Sequence, residues 1–329
     1  MRTTRTLMGV VAILLAAACA LPSAANAQAT DWPTRTVRVI VPYPPGGISD
    51  VLARLVSQKL SERLGQSFVV ENRSGASGNI GAEMVARAAP DGYTLVVGGP
   101  NNFASNQFLY PKLGYDIERD LVGITVLEQH PVVLVVPNSL QVKDVKGFVA
   151  ATRAKPKTFN CGTPGLATLG HLSLELFKDG TGADVQNVAF RGTGPVVTEM
   201  LGGRLECAFD GLPGHYANIK AGAYRALAVT TPQRDKSLPD VPTLVEAGYP
   251  DLVATVWFAL AAPAKTPPAV LRKIADEVNK VLREPDVIAK LEALGATPVG
   301  GTPERTNAFF KSEAAKWKRI IEVADVKPE

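Results

Sequence analysis

Val37-Arg38-Val39-Ile40-Val41 runs directly into Pro42-Tyr43-Pro44-Pro45-Gly46-Gly47-Ile48-Ser49-Asp50, and beyond it the apolar spacing changes. The first run is a short β-rich strand. Val51, Leu52, Leu55, Val56, Leu60 and Leu64 then fall on one helical stripe that Gly65 ends as a left-handed cap would. A strand that turns through two glycines into a helix is the opening of a parallel β-α-β unit, and in open parallel sheets ligands bind at the carboxyl ends of the strands. Gly46 and Gly47 let the backbone come close to a ligand, while the free N–H groups at the start of the helix favour an anion. Taken alone, the turn reads equally as a tight connection in which Ser49 or Asp50 caps the helix.

Working outward, Phe68 to Val70 and Thr94 to Val97 are further strand-like runs, with helical spacing from Asn79 to Ala89 that stops at Pro90-Asp91-Gly92. The pattern then repeats. Thr158 to Cys161, Val185 to Ala189, Leu205 to Phe209 and Arg225 to Val229 read as strands, with helices from Thr168 to Lys178 and Pro195 to Leu201. The apolar runs Val132 to Val136 and Val256 to Ala261 sit where one set of elements gives way to the other, as crossings would. Thr266-Pro267, Glu284-Pro285 and Thr302-Pro303 each place proline at a helix start, which predicts three carboxy-terminal helices returning to the first lobe. The expected fold class is α/β with two lobes, each a mainly parallel sheet flanked by helices. Lobe 1 takes residues 28–130 plus 258–329 and lobe 2 takes 131–257.

The second lobe carries the same device as the first. Gly162-Thr163-Pro164-Gly165-Leu166-Ala167-Thr168 follows a strand and opens a helix, and Arg191-Gly192-Thr193-Gly194-Pro195 does so again. Three glycine-rich turns on two lobes joined by two crossings describe a clamshell in which a ligand held by both sides favours closure. Arg191 stands out, because an arginine beside glycines at a strand end has few structural reasons to be there. His171 reads as a structural histidine, and Asp210 before Gly211 as an organiser of its turn.

With 329 residues, 46% of them apolar and 20% charged, the chain has ample material for a large core. A net charge of +4, with Arg2 and Arg5 in the leader, argues against a nucleic-acid partner. Those arginines, the apolar run Leu7 to Leu21 and Ala25-Asn26-Ala27 read as an export signal cleaved after Ala27, giving an exported, periplasmic protein that begins at Gln28. A lipid anchor at Cys19 is the alternative, although Ala16-Ala17-Ala18 lacks the large aliphatic residue expected upstream. In an oxidising compartment Cys161 and Cys207 either form a disulfide or stay as small buried hydrophobes, and the sequence leaves both open.

Several blocks together resemble the Bug family, the extracytoplasmic receptors of tripartite tricarboxylate transporters. They are Pro42 to Gly47 with Asp50 and Arg54, Glu71-Asn72-Arg73 with Gly75-Ala76 and Gly78-Asn79, Pro90-Asp91-Gly92-Tyr93, Gly162 to Gly165 with His171, Gly202-Gly203 with Asp210, Lys220-Ala221-Gly222, and Val241-Pro242-Thr243. The resemblance covers nearly the whole mature chain. It implies a type II-like periplasmic clamshell that binds a small carboxylate, such as a di- or tricarboxylate, an aromatic acid or an acidic amino acid, largely through backbone amides and water. It also implies permease subunits as membrane partners, and the receptor is expected as a monomer. Carried over by position, Tyr43, Pro45, Gly46, Gly47, Ser49 and Asp50 form the first grip, Thr163, Gly165 and Thr168 the second, with Asn101, Arg191, Gly192, Thr193 and Asp210 lining the same cleft. Two departures bear on selectivity: Phe190-Arg191-Gly192 stands where relatives read Tyr-Lys-Gly, and Gly99-Pro100-Asn101-Asn102 replaces a hydroxyl-rich turn.

Catalytic motifs are absent. His130, His171 and His215 form no H-E-x-x-H, and there is no C-x-x-C, G-x-S-x-G, S-x-x-K or Gly-Lys dipeptide, so neither an enzyme, a metal site nor a cofactor is expected. Periplasmic catalysis on a carboxylate and ligand sensing for a sensor kinase are the two alternatives to uptake.

Overall fold

The structure, a computed structural model, describes residues 31–324 and 326, so the expected leader, its cleavage after Ala27 and Cys19 lie outside the described residues. The first sheet begins with β1 (Val37–Val41), α1 (Ile48–Leu64), β2 (Phe68–Asn72), α2 (Asn79–Ala86) and β3 (Thr94–Gly98). β1 lies between β2 and β3 and is parallel to both, as the β-α-β pattern requires. Gly65 ends α1 at φ 69°, its N–H donating to the Ser61 carbonyl. α2 stops three residues short of the expected Ala89 because Pro90 disfavours helical backbone in the residue before it.

A π-helical turn over Asn101–Ser105 leads through α3 (Asn106–Leu109) and α4 (Ile117–Asp120) into β4, Leu121–Pro137. This strand serves both halves. From Leu121 to Pro131 it pairs antiparallel with β9 (Thr255–Pro263), which in turn pairs antiparallel with β3. From Val132 onward it pairs antiparallel with β7 (Cys207–Gly211), and from Val133 with β8 (Tyr224–Val229). The handover at Pro131 and Val132 is where the sheets diverge. In the second sheet β5 (Asn160–Thr163) is parallel to β6 (Gln186–Ala189) and to β7. In each half the strands of the β-α-β units are therefore parallel, while the two strands running between halves enter antiparallel.

α5 (Val145–Ala154), α6 (Leu169–Thr181), α7 (Thr193–Leu201) and α8 (Leu212–Lys220) surround the second sheet. α9 (Pro268–Val281), α10 (Pro285–Glu292) and α11 (Pro303–Ala324) follow, and the two-residue strand β10 (Thr297–Pro298) pairs with β4. α9 begins one residue later than Thr266-Pro267 suggests, with Pro267 as the residue before the helix. Val270, Leu271, Ile274 and Val278 of α9 close over Leu52, Leu55 and Val56 of α1 on one face of the first sheet. On its other face Phe103, Trp257 and Phe310 stack at 4.7 to 6.3 Å between centroids, and Trp257 Nε1 donates to Glu313. The second sheet is likewise apolar on both faces. From Trp32 onward the described residues form one compact unit, and none of its helices is long and apolar enough to cross a membrane.

Cys161 and Cys207 face each other in the β5–β7 register with Cα atoms 4.5 Å apart and form a disulfide. Sequence spacing alone leaves that pairing open, because it depends on which strands become neighbours.

Candidate functional site

At the end of β1 the chain makes its first glycine-rich turn. Gly46 sits at φ +87°, where a β-branched residue is strained, and Gly47 supplies the extended residue that opens α1. Asp50 holds this turn together from behind. Its Oδ2 accepts the Gly46 N–H at 3.0 Å, its Oδ1 accepts Asn72 Nδ2 at 3.0 Å, and Arg54 pairs with it at 3.1 Å. Burial pushes the Asp50 carboxyl up, but the hydrogen bonds from Arg54, Gly46 and Asn72 outweigh it and hold the group below the usual carboxylate range. Ser49, buried at the mouth of α1, has no hydrogen-bond partner for its hydroxyl among the described residues. Tyr43 packs edge-on against Phe258 at 5.8 Å and donates its hydroxyl to Asn102 Oδ1 at 2.8 Å. Burial pushes this phenol up, so it stays a neutral donor.

The second sheet contributes two turns that are tied to each other. Gly165 lies at φ +151° and its carbonyl accepts the Thr168 hydroxyl at 2.7 Å, while Thr168 Oγ1 caps α6 by accepting the His171 N–H. His171 is structural, its Nδ1 accepting the Ala167 N–H at 3.0 Å. The Thr163 hydroxyl donates to Asn187 at 2.7 Å. Gly192, at φ +102°, donates its N–H to the Pro164 carbonyl at 2.9 Å, which fixes the second turn to the first. Thr193 Oγ1 donates to Asp210 Oδ1 at 3.2 Å, and the same oxygen accepts the Gly211 N–H at 2.6 Å. Asp210 Oδ2 faces His215 Nε2 at 3.3 Å. The Tyr224 phenol, pushed up to about 12 by burial, lies with its hydroxyl 2.8 Å from His215 Nδ1, so the ring bridges Tyr224 and the aspartate.

The turns of both sheets open onto one cleft of about 670 Å³. Tyr43, Pro45, Gly46, Gly47, Ser49 and Asn101 line it from the first sheet, and Thr168, Arg191, Gly192, Thr193 and Asp210 from the second. Asp50, Thr163 and Gly165 are not among the lining residues; each shapes its turn from behind. Asn101 also bridges the two sides, its Nδ2 donating to the Ala167 carbonyl at 3.0 Å. Arg191 is exposed and makes no hydrogen bond or ion pair among the described residues, so its guanidinium is available to an anion. Phe258 and Val256 of β9 line the cleft as well, as does His130 of β4, whose Nδ1 lies 2.9 Å from Glu128. Sequence reasoning did not place His130 there. The available signal was Glu128-Gln129-His130, a polar interruption in an otherwise apolar run. No group of three or more His, Cys, Asp or Glu suited to a metal occurs among the described residues.

Two mixed sheets sharing a long strand, with glycine-rich strand-to-helix turns from both meeting at one cleft, define a solute-binding protein of the periplasmic binding fold. The chain belongs to the family described as the tripartite tricarboxylate transporter family receptor, TctC, whose profile matches residues 52–326. It is similar to Protein BugT of Bordetella pertussis, 36% identical over 98% of both chains. Among solved structures it resembles Rpa4515 of R. palustris with adipate, at 38% identity and a TM-score of 0.85, covering 91% of this chain and all of that one. MatC of Rhodopseudomonas palustris with bound malate is 31% identical at a TM-score of 0.79, covering 88% of this chain and all of that one. The protein is thus a periplasmic solute-binding receptor of the TctC and Bug family.

Proposed function

We propose that the cleft captures a small carboxylate and that the loaded receptor delivers it to the membrane permease of a tripartite tricarboxylate-type transporter. The observation that carries this is the meeting of helix-start backbone from the first sheet with the unpartnered Arg191 of the second across one cleft of about 670 Å³. Free N–H groups and an uncommitted guanidinium are both anion receptors. The adipate and malate held by two similar structures support a carboxylate in particular.

In this reading Gly46, Gly47 and Ser49 take one end of the ligand, while Thr168 and Arg191 to Thr193 take the other. Asp50, Thr163, Gly165 and Asp210 keep the turns in shape. Residues 28–130 plus 258–329 act as one lobe and 131–257 as the other, hinged where β4 changes partners. The receptor works as an exported monomer that starts at Gln28 after signal cleavage, and it binds its ligand without turning it over.

A thermal-shift screen over mono-, di- and tricarboxylates, aromatic acids and acidic amino acids tests the proposal. A true ligand at about 100 times its Kd stabilises the native state by about 2.7 kcal/mol, an easily seen shift. Absence of any carboxylate response would count against it, and product formed on long incubation with the best ligand would favour an enzyme.

A further inference from the structure

Glu128 and His130 form a buried pair in the middle of β4, immediately before the strand passes from one sheet to the other. Glu128 is 0% exposed, its Oε2 lies 2.9 Å from His130 Nδ1, and its Oε1 is buried with no partner. A carboxyl group taken that far from water needs a polar partner, and the imidazole is the group that touches it. Glu128 engages Nδ1, which leaves Nε2 as the free end of the ring.

Three observations describe the surroundings of that end. The ring packs against Phe258 with centroids 6.3 Å apart. It lines the cleft although the residue is only 3% exposed. A Cβ on Gly211 would lie 2.7 Å from Nε2 and 3.2 Å from Cδ2. Gly211 has φ −61° and ψ 131°, a conformation open to any residue, so its lack of a side chain makes room for the imidazole and does not relieve its own backbone. Nε2 has no hydrogen-bond partner among the described residues.

We propose that His130 is a specificity-determining residue: an imidazole held by Glu128 that offers Nε2–H to the second anionic group of a dicarboxylate. The inference rests on the carboxylate reading of the cleft and deepens it. Other charged groups around the ring leave that role to Nε2. β9 brings only Val256 and Phe258, which are apolar, and the β7–α8 corner brings Asp210 and His215, which are bonded to each other. Arg191 then supplies the other side-chain donor of the same cleft. Two separate donors in one cleft match two carboxylates.

The test is calorimetry on the full-length mature protein with matched acids: succinate against butyrate, and adipate against hexanoate. The variants are His130→Gln, which removes the ring and its Nε2–H, and the double change Glu128→Met with His130→Phe, which removes both polar groups and keeps a ring against Phe258. Folding is checked by circular dichroism. The wild type should prefer the dicarboxylate of each pair. That preference should fall by about tenfold to a hundredfold in both variants, the loss expected of one charge-assisted hydrogen bond. A wild type that binds hexanoate as tightly as adipate overturns the proposal, and so does an unchanged preference in either folded variant. Failure of the wild type to bind any of the four acids or any other carboxylate is a different result, which removes the receptor reading and this inference with it.

Discussion

The two sides of the cleft are built by different means. On the first sheet the polar side chains of the turn are largely consumed internally: Asp50 holds Gly46, Asn72 and Arg54, and Tyr43 holds Asn102, so what faces the cleft is backbone and the Ser49 hydroxyl. On the second sheet the turns are also tied, by Gly192 to Pro164 and Thr193 to Asp210, yet Arg191 remains uncommitted. In the proposed reading one side meets an anion by the placement of N–H groups and the other by an uncommitted charge. The first is sensitive to backbone conformation, the second to charge and salt.

That contrast predicts an order of effects. Gly46→Val should weaken carboxylate binding most, by more than about 3 kcal/mol, because φ +87° strains a β-branched residue and the new side chain covers the helix-start N–H groups. The position has open space around it, so the variant should still fold. Gly165→Val should follow, acting through the turn: its Cβ would meet Thr168 Cγ2 at 3.2 Å and its φ of +151° suits only glycine. Arg191→Ala should cost about 1.5–3 kcal/mol and flatten the salt dependence of the Kd, as calorimetry at two ionic strengths would show. Ser49→Ala and Thr168→Ala should cost about 1 kcal/mol each, the former in binding and the latter mainly in stability through the α6 cap. If Arg191→Ala abolishes binding while Gly46→Val retains it, the roles of the two sides are reversed.

The smallest expected effect is on acid stability. The Asp50 carboxyl is held below its unfolded value, so its stabilisation is complete above the ordinary carboxylate range and is lost as pH falls through the lower, folded value. Asp50→Asn should remove that part of the acid limb in a pH series of melting temperatures and loosen the first side alone.

The two sides were also unequally legible. Both sets of turns could be read because strand, glycines and helix follow each other along the chain. Gly65, Pro285 and Pro303 mark helix ends by local stereochemistry, and all three hold. What the sequence did not show depends on distant partners. β4 reads as an apolar run from Val132, whereas it begins at Leu121, because its first half becomes a strand by pairing with β9 far along the chain. His130 was hidden for the same reason: only the handover of β4 between sheets brings it beside Gly211 and the cleft. α8 is not legible in the sequence: it contains Pro213 and Gly214, both weak helix formers. The disulfide between Cys161 and Cys207 follows from β5–β7 register and from nothing local.

Two separately built sides are expected to close on one carboxylate, and small-angle scattering on the purified protein, with and without a carboxylate at saturation confirmed by calorimetry, is the decisive measurement. Closure should give a smaller radius of gyration in the bound state. An unchanged radius at saturation would rule closure out and indicate a rigid pocket.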